Sequence, residues 1–199
     1  MLSRTLCSLA LLASALAAPG CMSQHCYVGD KLPRVALSEI QPGPSPVDVR
    51  LLFEFQTNGA ANPDMSKQLR PKVIAAIAET GVFKAIHDAE GKDLAHLEIV
   101  LNNTGDASNS EVQGAVTGLT LGLAGSLVTD HYAWRATWTT PGHDPIVKNY
   151  EHEMHTAIGN HSGPAGLEPL TMDQAADQII QQLVRITLRD LQAEAKVSG

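Results

Sequence analysis

Two stretches in which apolar and polar residues alternate constrain the fold of this chain more than any other feature. In residues 47–57 the apolar side chains occupy almost every second position and share one face of an extended strand. Residues 130–140 repeat the pattern with aromatic side chains. The residues on the shared faces are Val47, Val49, Leu51, Phe53 and Phe55 in the first stretch and Tyr132, Trp134, Ala136 and Trp138 in the second. A period of two residues is typical of half-buried strands, so the chain is predicted to form a sheet with one covered face.

Two helical patterns supply the cover for such a sheet. Apolar residues recur at helical spacing from Met65 to Ile77, and Gly81 stands where a helix commonly ends. A second helix is predicted to follow Thr171, which forms a capping-box pattern with Gln174 and precedes an amphipathic stretch.

The order of these elements predicts the fold class. Further strands are predicted over 82–86, 96–103 and 146–158. Short connections between strands favour antiparallel pairing, and helices usually cover one face of such a sheet. We therefore expect an α+β fold: a mainly antiparallel sheet of four to five strands with two helices packed on one face, plus a Gly-rich apolar insert. The 199 residues, 44% of them hydrophobic, suit one such domain.

The first twenty residues have the pattern of a signal peptide. Arg4 is followed by an uncharged run over 6–18, which is short for a membrane-spanning helix. Small residues then lead to Cys21 and resemble the lipobox of bacterial lipoproteins. That resemblance implies cleavage before Cys21 and acylation of its thiol, with palmitate among the attached groups. The alternative is an ordinary signal peptide cut after Ala17, which would leave Cys21 able to form a disulfide with Cys26.

A cluster of prolines marks the predicted boundary between the tether and the folded domain. Residues 41–46 contain three prolines, which cannot donate hydrogen bonds to a sheet. We therefore expect a signal peptide over 1–20, a lipid-anchored tether over 21–46 and a single domain over 47–199. The net charge of −7 argues against a nucleic-acid partner.

Residues 112–129 form the most unusual stretch, because 18 consecutive residues carry no charge. Glycines recur at spacings that, on a helix, would form a smooth face for close packing. The stretch could be a buried segment crossing the sheet or a surface for a partner, for self-assembly or for a bilayer. The residues predicted to bind a partner are Gly118, Leu119, Leu121, Gly122 and Leu123.

Histidines raise the alternative of a metal or ligand site. The best cluster is His152 and His155, with His143 and His161 nearby. On the predicted strand, residues three apart point to opposite faces, so one ion cannot easily bind both His152 and His155. No metal site and no cofactor is therefore predicted.

Other residues of catalytic type are not predicted to act in catalysis. Ser126, Asp130 and His131 are the residue types of a hydrolytic triad, but the Gly-x-Ser-x-Gly turn that presents such a serine is missing. Glu151 and Glu153 share the polar side of a predicted strand, where they are solvated. We expect a protein that is not an enzyme. The aromatic residues of 130–140 are expected in the core, with a binding face as the alternative.

The lipobox-like start and the Gly-Leu-Thr-Leu-Gly-Leu run before an aromatic strand resemble a group of small uncharacterised envelope lipoproteins of Gram-negative bacteria. The order of elements is also similar to periplasmic modules of the CsgG, LpoB and TolB N-terminal type. The resemblance implies an accessory or scaffold protein that binds another envelope protein. In such lipoproteins, an Asp directly after the acylated cysteine is typically the signal for retention in the inner membrane. This chain has Met22 there, which implies the periplasmic side of the outer membrane. A soluble periplasmic protein that binds a ligand or metal is the alternative.

Overall fold

The computed structural model of the protein describes residues 23–42, 46–88, 94–105 and 125–195, and these form an α+β domain. A seven-stranded sheet carries two helices. The strands are β1 (Gln24–Val28), β2 (Asp48–Thr57), β3 (Ala60–Ala61), β4 (Ala85–His87), β5 (Ala95–Gly105), β6 (Ser126–Thr139) and β7 (Ile146–Ile158). The helices are α1 (Pro63–Thr80) and α2 (Met172–Ala195), and a 3-10 turn lies at Leu37–Glu39.

The sheet is mostly antiparallel, as predicted. Its strand order is β1-β7-β6-β5-β2-β3, with β4 beside β2. Strand β2 runs parallel to both β4 and β5 because α1 carries the chain back to the end of the sheet at which β2 began. The sequence predicted four to five strands. The short β1 and β3 raise the number because their pairing partners, not their own patterns, make them strands.

Both helices pack on the same face of the sheet and contact each other. The alternating positions predicted from the sequence form that face: Val49, Leu51 and Phe55 of β2 and Trp134, Ala136 and Trp138 of β6 are buried. The helices complete the core with Leu69, Val73, Ala76 and Ile77 of α1 and with Ile179, Ile180, Leu183, Val184, Leu188 and Leu191 of α2.

Gly81, Thr171 and Gln174 act at the helix ends where the sequence predicted them, and Asn62 caps the start of α1 in addition. The Asn62 side chain accepts a hydrogen bond from the Met65 amide at 3.1 Å, and Gly81 ends α1 in the left-handed conformation with φ 65°. At the start of α2, the Thr171 amide donates to Gln174 Oε1 at 3.0 Å, and the Gln174 amide donates to Thr171 Oγ1 at 3.3 Å. This reciprocal pair is the capping box expected from the sequence.

The structure corrects the predicted tether over 21–46. Residues 23–42 belong to the folded domain, because all five residues of β1 pair with β7. Cys26, Val35 and Ile40 are buried, with 1%, 4% and 3% of their surface exposed. The segment is too short to show a strand pattern by itself, and its partner lies more than 120 residues later in the chain. Within the described residues, no helix is both long and apolar enough to cross a membrane.

Candidate functional site

The residues with the strongest predicted roles lie outside the part of the chain that the structure describes. These are the predicted lipid site, Cys21, and the predicted partner-binding residues Gly118, Leu119, Leu121, Gly122 and Leu123. Their roles stay predictions. The chain leaves the described domain at Gly105, the last residue of β5, and re-enters it at Gly125, before β6. The last four residues of the stretch 112–129 are therefore the first four of β6.

A groove lies close to the point where the chain leaves the described domain, because Asn103, two residues before Gly105, lines it. It runs between the N-terminal halves of α1 and α2 and the sheet, and its volume is about 320 Å³. Its lining is mostly apolar and includes three methionines: Phe55, Met65, Leu69, Leu101, Tyr132, Met154, Met172, Ala176, Ile179 and Ile180, with Asn103 at the sheet. Met172 is 48% exposed, so the groove opens to solvent. Methionine side chains adapt to different apolar surfaces and are common where proteins bind varied partners. We call this surface the methionine groove.

Charged side chains of both helices border the methionine groove. Lys72 Nζ of α1 lies 2.8 Å from Asp173 Oδ1 and 2.6 Å from Asp177 Oδ1 of α2. Hydrogen bonds to these two carboxylates raise the pKa of Lys72, so the lysine stays charged near neutral pH. Gln68 lies exposed beside them. The groove thus combines an apolar floor with a polar rim, which is the composition of a small protein-binding surface.

The aromatic side chains of β6 lie in two places, the core and the methionine groove. Trp134 and Trp138 are 1% and 2% exposed, and Trp138 stacks on Phe83 with ring centroids 5.5 Å apart. Core packing, which the sequence favoured, is confirmed for both tryptophans. Tyr132 lines the methionine groove, where burial raises the pKa of its hydroxyl. The sequence did not predict the groove, because its lining comes from six separate elements and no pattern within one element marks it.

The four candidate histidines are not brought together. His152 points towards α2, where its Nε2 lies 2.6 Å from Gln182 Oε1. His155 lies on the opposite face of the sheet, 2.9 Å from Thr129 Oγ1, as the strand pattern predicted. His143 is in the exposed connection between β6 and β7, and His161 is in the loop after β7. In the described part of the chain, no three His, Cys, Asp or Glu side chains are grouped so that they could hold a metal ion.

The residues of catalytic type are also separated. Asp130 and His131 point to opposite faces of β6, and Asp130 Oδ1 accepts a hydrogen bond from Asn103 Nδ2 at 3.3 Å. Glu153 forms an ion pair with Lys31, with 2.6 Å between Oε2 and Nζ. Burial opposes ionisation of Glu153, but the hydrogen bond and charge of Lys31, aided by His155 and His131, lower its pKa. Glu151 is exposed.

Cys26 is a free thiol in the core. Its Sγ lies 3.9 Å from Thr156 Oγ1 and 4.0 Å from Met172 Sδ, and only 1% of the residue is exposed. Cys26 therefore packs as a small apolar residue beneath the start of α2.

A second, polar cavity of about 460 Å³ lies on the other side of α2. Arg34, Arg185, Glu168 and three glutamines of α2 line it, above Val28, Val35 and Leu170. The glutamines are Gln178, Gln181 and Gln182. Arg185 Nη2 binds Glu79 Oε2 at 3.0 Å, whereas its buried Nε has no partner among the described residues. Guanidinium and amide groups of this kind bind carboxylates and hydroxyl groups.

No protein-family model matches the chain, and no curated protein matches it by sequence. Among solved structures, it is similar to a Helicobacter pylori homologue of the neuraminyllactose-binding hemagglutinin, with 11% identity over 78% of this chain and 88% of that chain and a TM-score of 0.38. It is also similar to the PelC dodecamer protein of Paraburkholderia phytofirmans, with 8% identity, coverage of 83% and 97%, and a TM-score of 0.35. A minor lipoprotein of Acinetobacter baumannii shares 9% identity, with coverage of 73% and 92% and a TM-score of 0.34. None of these similarities assigns the chain to a family.

Proposed function

We propose that the protein is an envelope lipoprotein, anchored through Cys21 to the periplasmic face of the outer membrane, with a non-catalytic accessory or scaffold role. It acts by binding another envelope protein. The lipobox-like start supports the anchor. The methionine groove is the observation that carries the binding role, because it leaves a mostly apolar surface open to solvent among the described residues.

The partner supplies an apolar segment to the methionine groove. The three methionines and Leu69 offer dispersion contacts to apolar groups of different shapes. Lys72, Asp173 and Asp177 form a charged, solvated rim beside them. The predicted partner-binding residues Gly118, Leu119, Leu121, Gly122 and Leu123 belong to the connection that starts three residues after Asn103, which lines the groove. Groove and connection are therefore proposed to serve the same partner.

The anchor is tested with Cys21→Ser. We expect the variant to lose incorporation of a labelled fatty acid and to leave the membrane fraction. Cys7→Ser is the matched control, because it changes a cysteine in the segment predicted to be removed, and it should keep both label and membrane attachment. Labelling of Cys21→Ser at the level of the unchanged protein would refute the anchor.

The binding role is tested with a photo-crosslinking residue at Gln68, which lies exposed at the groove. The same residue at Val147, 39% exposed on the sheet face away from the helices, is the control. We expect a discrete crosslinked envelope protein from position 68 that is lost on Met172→Asp, which places a charge in the apolar groove. The same products from both positions would contradict a specific groove.

The polar cavity supports one alternative, a protein that binds a ligand bearing a carboxylate. Arg34 makes no ion pair or hydrogen bond with another described residue, and Arg185 contributes a second guanidinium. The probe is glucuronate, with glucose as the uncharged control. A rise in melting temperature with glucuronate alone, lost on Arg34→Ala, would support this alternative, and equal melting temperatures with both sugars would exclude it for this ligand class.

A further inference from the structure

The folded domain begins almost at the proposed lipid site. Ser23 Oγ donates to the Gly159 carbonyl at 2.9 Å, and the Gly159 amide donates to the Ser23 carbonyl at 2.9 Å. Strand β1 follows at Gln24. Because one residue spans at most about 3.5 Å, Cys21 lies within about 7 Å of Ser23. An acyl group on Cys21 therefore holds this point of the domain at the membrane surface.

Three strands end or begin at that point. Gln24 pairs with Ile158, and Ile158 pairs with Ser126, so the start of β1, the end of β7 and the start of β6 lie side by side. Neighbouring strands are about 4.8 Å apart, which places Ser126 about 10 Å from Gln24. Gly125 packs against the loop after β7, because a Cβ at this glycine would lie 2.6 Å from the His161 amide nitrogen. We call residues 23–24, 125–127 and 158–161 the neutral end of the sheet.

Charge sets the neutral end apart from the rest of the molecule. The chain has 14 basic and 21 acidic residues, yet stretches 23–29, 125–129 and 154–167 contain none of either kind. At the opposite end of β6 and β7 the connection carries Asp144, and Lys148 follows. Acidic side chains are repelled by anionic lipid headgroups, and any charged side chain resists dehydration. The described residues of the neutral end include no such group, and a surface of this composition can lie against a bilayer at little electrostatic cost.

We propose that the neutral end rests on the bilayer that holds the acyl groups of Cys21, so that lipid headgroups contact residues 158–161 and 125–127. The proposal rests on the proposed anchor and adds the orientation of the domain. Strands β6 and β7 then project away from the membrane, and β7, with 13 residues, places the connection after β6 about 40 Å from it.

The test uses the acylated full chain bound to vesicles of phosphatidylethanolamine and phosphatidylglycerol that contain a headgroup nitroxide lipid. One variant is Asn160→Cys at the neutral end, and its matched control is His143→Cys at the far end; both residues are exposed. Each is labelled with a fluorophore, and the buried Cys26 does not compete for the label. We expect the nitroxide lipid to quench the label at 160 and to leave the label at 143 unquenched.

The outcomes separate the orientation from the anchor. Equal quenching at 160 and 143 on vesicle-bound, acylated protein would overturn the orientation and leave the anchor standing. Protein that carries no acyl group would overturn both. Quenching at 160 that disappears with Cys21→Ser, together with vesicle binding, would support both.

Discussion

The indole of Trp134 on β6 donates a hydrogen bond to the hydroxyl of Thr187 on α2, with 3.0 Å between Nε1 and Oγ1. Each residue is only 1% exposed. The Thr187 hydroxyl in turn donates to the Leu183 carbonyl, one helical turn earlier, at 2.7 Å. A polar chain therefore joins the centre of the sheet to the longer helix inside an otherwise apolar core, and it fixes which residues of α2 face β6.

Removing the buried Thr187 hydroxyl should destabilise the protein more than removing the hydroxyl of Thr137, which is half-buried. Thr187→Val leaves the Trp134 indole N–H buried without an acceptor, which typically costs about 1–3 kcal/mol. Urea denaturation measures the change in the free energy of unfolding, and Thr137→Val, on the other face of β6, is the control. In the double variant with Trp134→Phe, the Thr187→Val change should cost less, because the unpaired donor is gone. Equal stability of Thr187→Val and the unchanged protein would contradict this role.

Gly125 should tolerate alanine worse than Gly142. Both glycines have positive φ, 70° and 79°. An alanine held in this left-handed conformation costs about 1 kcal/mol or more at either position. A Cβ at Gly125 would also lie 2.6 Å from the His161 nitrogen and 2.8 Å from the Ile158 oxygen, whereas nothing lies within 4 Å at Gly142. Thermal unfolding should therefore show the larger loss for Gly125→Ala, by a further 1–3 kcal/mol or so. Equal losses of stability in Gly125→Ala and Gly142→Ala would contradict this prediction, because they would mean that the backbone around Gly125 makes room for a methyl group without cost.

Stability should fall below about pH 6.5 because of His152. Burial lowers the pKa of this histidine in the folded state, despite its hydrogen bond to Gln182 and the nearby charge of Glu153. As the pH falls through the ordinary histidine pKa of 6.5, the unfolded chain binds a proton that the folded protein resists. The free energy of unfolding then decreases with falling pH.

Melting curves of His152→Gln between pH 7.5 and 5.5 check this reasoning, since titration over that range is dominated by histidine side chains. The variant should lose less stability on acidification than the unchanged protein, whatever its stability at neutral pH. His143→Gln is the control, because His143 is exposed. Parallel pH profiles for His152→Gln and the unchanged protein would refute the assignment.

Local patterns in the sequence predicted much of the fold. The alternation in 47–57 and 130–140 corresponds to β2 and β6, and Gly81, Thr171 and Gln174 act at helix ends where they were expected. These features involve residues within a few positions of one another, so the pattern itself carries the information. The separation of His152 and His155 onto two faces followed from the same two-residue period.

The candidate surfaces could not be predicted in this way. Neither the methionine groove nor the polar cavity is built from one segment, and β1 becomes a strand only because β7 offers it an edge. Met65 of α1, Met154 of β7 and Met172 of α2 look like ordinary core residues in the sequence, and only the packing of the helices brings them together in one groove. Of the three, Met154 is buried and Met172 is the most exposed.

An α+β domain with a mostly antiparallel sheet follows from the amino-acid sequence alone, because strand and helix periods are local properties of the chain. Three other features appear only in the folded molecule: residues 23–42 are part of the domain, Cys26 is a buried thiol, and an uncharged end of the sheet lies next to Ser23. Those features depend on contacts between residues more than 100 positions apart. Such contacts form only when all the strands have paired and the helices have packed on the sheet.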